Sequence, residues 1–184
     1  MLKKLKNLLL FSAGVFLASL GYFLAIYPNR PGDTEHETFL REIGEVFGTL
    51  GIWALVIIYG RTLVKLVFGQ GGLAQRLVPD QYDVSAIPPF KTLLDCLNRT
   101  HVFVGVVAIA VILLHIAMVG LHPEILFFPA VLVLVLWQGV FGFFLTWRFS
   151  PQDLKKVSYL VHAQFLTGIM IGIFSVFGHL LLDD

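Results

Sequence analysis

Charged residues divide this chain into uncharged runs long enough to cross a lipid bilayer, and that pattern decides most of what it can fold into. A helix needs about 20 predominantly apolar residues to span the hydrocarbon core. Asn7 to Asn29, Thr100 to Pro123, Ile125 to Trp147 and Val157 to Leu182 each satisfy this without a single charge. A further run is uncharged only from Val46 to Gly60. Arg61 and Lys65 beyond it can carry their cationic heads to the interface on flexible stems, so Ile43 to Phe68 completes a fifth span. Composition agrees, with 57% hydrophobic and 14% charged residues and a mean hydropathy of +0.83; a soluble domain is about 25% charged. A chain of 184 residues has too much surface for its volume to hide that apolar content in water. The expected fold is all-α, an integral membrane bundle of five transmembrane helices forming a single domain over residues 1–184. Met1 to Ala25 also has the outline of a secretory signal peptide; the chain is read with this segment retained as the first helix.

Orientation follows from the Lys and Arg of the short flanking segments. Lys3, Lys4 and Lys6 precede the first span, Arg61, Lys65, Arg76, Lys91 and Arg99 fall around the second connection, and Arg148, Lys155 and Lys156 occupy the fourth. The first connection carries Asp33, Glu35 and Glu37, the third is little more than His122, Pro123 and Glu124, and the chain ends in Asp183 and Asp184. The N-terminus is therefore expected on the cytoplasmic side and the C-terminus outside. The long connection from Gly69 to Asn98 is cytoplasmic in this scheme. Its glycines and the pair Pro88 and Pro89 break it into turns and short amphipathic pieces, suited either to docking a partner or to linking two spans along the membrane surface.

Thirteen Lys and Arg against twelve Asp and Glu leave a formal charge of +1, which offers no basic excess for nucleic acid. A single cysteine, Cys96, excludes an intrachain disulfide, a multi-cysteine zinc site and the paired thioethers of a c-type haem. Nucleophile-elbow, Walker, zinc-protease and dinucleotide-binding patterns are absent. The chemistry falls to the histidines.

Of six histidines, four lie in or at the ends of the third and fifth spans: His101 and His115, then His162 and His179. Ionisable side chains within spans are rare, and those that occur usually face the bundle interior and carry function. His101 and His115 are fourteen positions apart, which places them about 40° apart around one helix and about 21 Å apart along it. Between them the same stripe carries Gly105, Ala108 and Ile112. Counting back from His179, the positions Ser175, Gly172, Gly168 and Phe165 share a face, with His162 one residue off the line. Small residues on both stripes leave room for a broad planar ligand, and a b-type haem takes two axial imidazoles from opposite sides. The third and fifth spans run the same way, so the expected pairs are His101 with His162 at the inner haem iron and His115 with His179 at the outer one. The seventeen positions between His162 and His179 rise about 25 Å on a straight helix against about 21 Å on the third. A relative tilt of about 35° levels them. Gly168 and Gly172 also form a GxxxG, so close helix contact is a second reading of that face. Two histidines so far apart on one helix do not make a zinc site. Arg99, Arg148 and Lys155 lie near the inner end, as haem-propionate partners or as ordinary interfacial anchors.

These residues resemble the ferric reductase-like transmembrane domain, found in ferric reductases, NADPH oxidases and the membrane haem subunit of the periplasmic methionine sulfoxide reductase system. The resemblance runs from about Glu42 to Leu182, the expected haem-binding core at 42–182. It rests on a glycine-containing second helix ending in Arg61, on Asn98-Arg99-Thr100-His101 followed by Gly105 and Leu114-His115, and on Leu160-Val161-His162 leading to Gly178-His179. It implies two haem b groups that pass electrons singly across the membrane, His101 and His162 ligating the inner iron and His115 and His179 the outer, with Gly105, Gly168 and Gly172 against the macrocycles. The fifth-helix spacing is about one turn longer than is usual in that family. The sequence ends at Asp184 without the flavin and nicotinamide domain fused to many members, so a separate redox protein or a quinol is expected as donor and an outer-side redox protein as acceptor. The expected role is an electron-transfer subunit of a larger oxidoreductase in a bacterial inner membrane, surrounded by lipid. The alternative is a structural or assembly subunit whose histidines are interhelical hydrogen-bonders.

Overall fold

The computed structural model describes residues 2–29, 39–68 and 87–182. Among them every regular element is helical: α1 (Leu2–Ile26) with a single 3-10 turn after it (Tyr27–Asn29), α2 (Phe39–Phe68), α3 (Pro88–Val119), α4 (Phe127–Thr146), α5 (Gln152–His162) and α6 (Phe165–Leu180). Four of these are long and apolar enough to cross a membrane, and a fifth span is completed if α5 and α6 are counted together. Within the apolar window of each of the four, only 6 to 11% of residues are buried inside the protein. Side chains such as Phe103 (73% exposed) and Leu136 (41%) face outward from mid-helix, an arrangement that lipid tails satisfy and water does not.

The chain divides into two compact units, one made of Met1–Gly44 with Ile116–Asp184 and the other of Glu45–His115. In the first, α6 packs on α1 and α4, and α5 packs on α4. Its core is Ile125, Phe127, Phe177 and Leu181, ringed by Leu20, Tyr22, Phe23, Ile26 and Phe174 among others. Tyr22 stacks edge-on to Phe127 with centroids 5.0 Å apart, and its hydroxyl accepts the backbone N–H of Leu126 at 3.1 Å. That bond satisfies a donor just ahead of α4, whose first-turn amides have no helical partner of their own. Pro129 lies in the same first turn, where a missing N–H costs nothing. Gly178 allows close approach of the α4 start, since a Cβ there would lie 3.2 to 3.3 Å from Phe127 and Phe128.

In the second unit α2 and α3 run antiparallel, shown by the order of their contacts. Gly48 meets His115 and Gly51 meets Ile112, Arg61 bonds Asn98, and Phe68 stacks on Phe90 with centroids 4.2 Å apart.

Two boundaries differ from the expected spans. The α3 helix opens at Pro88, so Pro88 to Asn98 of the long connection are helical; proline is well suited to the first helical position, where its fixed φ fits and its absent N–H is not needed. The same helix stops at Gly120, whose φ of +98° is readily adopted only by glycine. The fifth span is not one straight helix. It breaks after His162, with Gln164 extended at ψ 115°, and α5 and α6 meet at a bend of 47°. Residues 69–86 of the connection, the acidic stretch 30–38 with His36, and the last two aspartates lie outside the described residues.

Candidate histidine site

His162 is the last residue of α5. Its Nδ1 lies 3.0 Å from the backbone carbonyl of Gln138 on α4. A carbonyl only accepts, so Nδ1 carries the proton, and in the neutral ring Nε2 is left with a lone pair. The ring sits in a notch that α4 provides by having no side chain at Gly142, where a Cβ would come 2.9 Å from Cε1 and 3.3 Å from Nδ1. His179 is in the last turn of α6 and makes the same kind of bond within its own helix, Nδ1–H to the carbonyl of Ser175 at 2.8 Å. Phe128 meets its ring edge-on, centroids 5.4 Å apart. Its Nε2 is likewise the basic nitrogen.

On α3, His115 uses the same device as His162. Its imidazole fills the space a side chain would take at Gly48, with a Cβ there falling 2.8 Å from Nδ1 and 2.9 Å from Cε1. The Nδ1 edge thus faces α2. His101 is half-buried with its Nδ1 out of contact with solvent. Gly105, one turn along, faces open space: among the described residues no atom would lie within 4 Å of a Cβ there, and the same holds at Gly172 on α6. Gly168, between His162 and Gly172, is half-buried. Glycines that seat helices against one another in this chain (Gly44, Gly48, Gly51, Gly178) show the opposite signature, with neighbours already at or below contact distance. At Gly172, then, the GxxxG does not act as a tight helix contact among the described residues.

Each expected ligand pair takes one histidine from each unit, His101 and His115 from Glu45–His115 and His162 and His179 from the other. The remaining described histidine, His122, pairs in its loop with Glu124 at 3.1 Å. Among the described residues no three His, Cys, Asp or Glu side chains gather around one point; haem iron receives four nitrogens from its porphyrin and needs only two from protein.

The donor chemistry of the site fits haem. Ligating histidines usually donate the second ring N–H to a carbonyl or carboxylate, which fixes the tautomer and raises the basicity of the nitrogen that binds iron. His162 and His179 are held in that state, and among the described residues nothing fills the space beside Gly105 and Gly172; elsewhere on the α3 stripe Ala108 is buried and Ile112 packs against Gly51 of α2. No family model matches the chain, and neither does a curated protein or a solved structure.

The sequence reading missed the glycine notches under His115 and His162. The spacing Gly44-x3-Gly48-x2-Gly51, which puts three glycines on one face of α2, was the available signal for the notch at His115.

Proposed function

We propose that this protein is a membrane b-type cytochrome of the ferric reductase-like kind, holding two haems and relaying single electrons between a cytoplasmic-side donor, a flavoprotein or quinol, and an outer-side acceptor as one subunit of an oxidoreductase. The observation that carries the reading is the pair of Nδ1–H to carbonyl bonds at His162 and His179, which leaves two basic Nε2 atoms on adjoining helices of a membrane-spanning chain. Open space at Gly105 and Gly172 supports the same reading. In this scheme His101 and His162 hold the inner haem and His115 and His179 the outer. Bound haem supplies the one-electron couple; the chain's part is to supply neutral imidazoles, exclude water and set the local charge.

A second reading, a redox-inactive subunit, draws on the His162 bond to Gln138, because that bond also ties α5 to α4. Haem content per chain separates the two. Purified wild type is expected to carry two haems, each single His→Ala variant to lose one, and His101→Ala and His162→Ala to lose the same one by midpoint potential. Retention of both haems in His101→Ala contradicts the assignment.

A further inference from the structure

Among the charged groups of the second unit, Arg61 is held in a defined orientation. Arg61 lies on α2 seven residues before the helix ends at Phe68, and its Nε–H donates to Asn98 Oδ1 at 2.7 Å. Among the described residues this is the guanidinium's one polar contact, so four of its five N–H donors are unspent. An arginine in a span ordinarily meets an anion or a set of carbonyls there. Bonding through Nε also fixes the plane of the group and leaves its two terminal nitrogens as a fork, the geometry that takes a carboxylate by two parallel hydrogen bonds. Lys65, one turn further along α2, is exposed and has no comparable brace.

Asn98 stands three positions before His101 on α3, about 4.5 Å along the helix and about 60° around it. Arg61 is therefore braced against the turn that carries His101. A b-type haem has no thioether tether, and the charged groups on its periphery are two propionates. We propose that Arg61, aligned by Asn98, receives a propionate carboxylate of the haem ligated by His101. This inference rests on the haem reading above. It selects Arg61 over the cations expected for this task from sequence, Arg99, Arg148 and Lys155, because Arg61 alone among these is shown oriented by a hydrogen bond with its fork free.

The test compares haem with its dimethyl ester, in which both carboxylates are masked. Protein produced under haem limitation, in the His179→Ala background so that the outer site is lost, is titrated in nanodiscs of zwitterionic lipid. The Arg61-intact protein is expected to prefer haem over the diester by about tenfold, the scale of one charge-assisted hydrogen-bonded pair. Arg61→Met abolishes the preference, Arg61→Lys retains part of it, Asn98→Ala weakens it and Lys65→Met leaves it unchanged. In the holoprotein with both haems, the potential of the haem that His101→Ala removes should fall in Arg61→Met and recover partly in Arg61→Lys. Binding of both porphyrins with equal affinity, or an Arg61 effect that follows anionic lipid content instead of the ester, overturns the inference and leaves the haem reading standing. Failure to bind either porphyrin overturns the haem reading itself.

Discussion

At the scale of single residues, two classes of glycine should respond in opposite ways. Gly48 and Gly142 hold imidazole rings against a neighbouring helix. A methyl group at either position must push the ring or the helix away, so Gly48→Ala and Gly142→Ala are expected to cost about 1–3 kcal/mol, read as a lower melting temperature in detergent. Gly105 and Gly172 face space unfilled by described residues. Gly105→Leu and Gly172→Leu should leave the melting temperature of haem-free protein unchanged or raised, since glycine is a poor helix former, while lowering haem content. Equal destabilisation at all four would mean that no flat ligand lies on the glycine stripes. The four histidines were singled out by spacing alone. The tautomers of His162 and His179 were not legible, because the groups that set them are the backbone carbonyls of Gln138 and Ser175, which leave no mark in the sequence.

Among the elements, the spans were readable from the absence of charge, and the break in the last one was not. Val157 to Leu182 is uncharged throughout, and neither Ala163 nor Gln164 is a helix breaker. The break belongs to packing: His162 is drawn to α4 by the Gln138 carbonyl, and α6 packs against α1 and α4 with Phe177 and Leu181 in the core. By itself α6 has 16 residues, about 24 Å against a hydrocarbon core of about 30 Å, so the bent pair completes a fifth span only if α5 supplies part of the crossing. The early start of α3 was hidden for a different reason, since Pro88 and Pro89 read equally well as a turn and as a helix opening. Tyr22 gives this scale its test. Tyr22→Phe removes the acceptor for the Leu126 amide, keeps the ring against Phe127, and is expected to lower stability by about 1 kcal/mol. A melting temperature equal to wild type would show that the amide finds another partner.

For the whole molecule, charge placement leads to the expectation of a cytoplasmic N-terminus and second connection, and Cys96 makes that expectation measurable. It is the chain's one cysteine and it is exposed. With the N-terminus and the second connection on the cytoplasmic side, a membrane-impermeant maleimide should leave Cys96 unlabelled in intact cells and label it in inverted vesicles. Labelling in intact cells would reverse the topology and with it the naming of inner and outer haems. The proposed pairing of His101 with His162 and of His115 with His179 takes one histidine from each unit, so no contact within either unit decides it.

The most direct test of the cytochrome reading is the reduced-minus-oxidised visible spectrum of purified wild-type protein. The account expects the sharp α band of low-spin ferrous b-type haem, at an intensity matching two haems per chain. Colourless protein, folded and monodisperse but without that band after reduction, would contradict it.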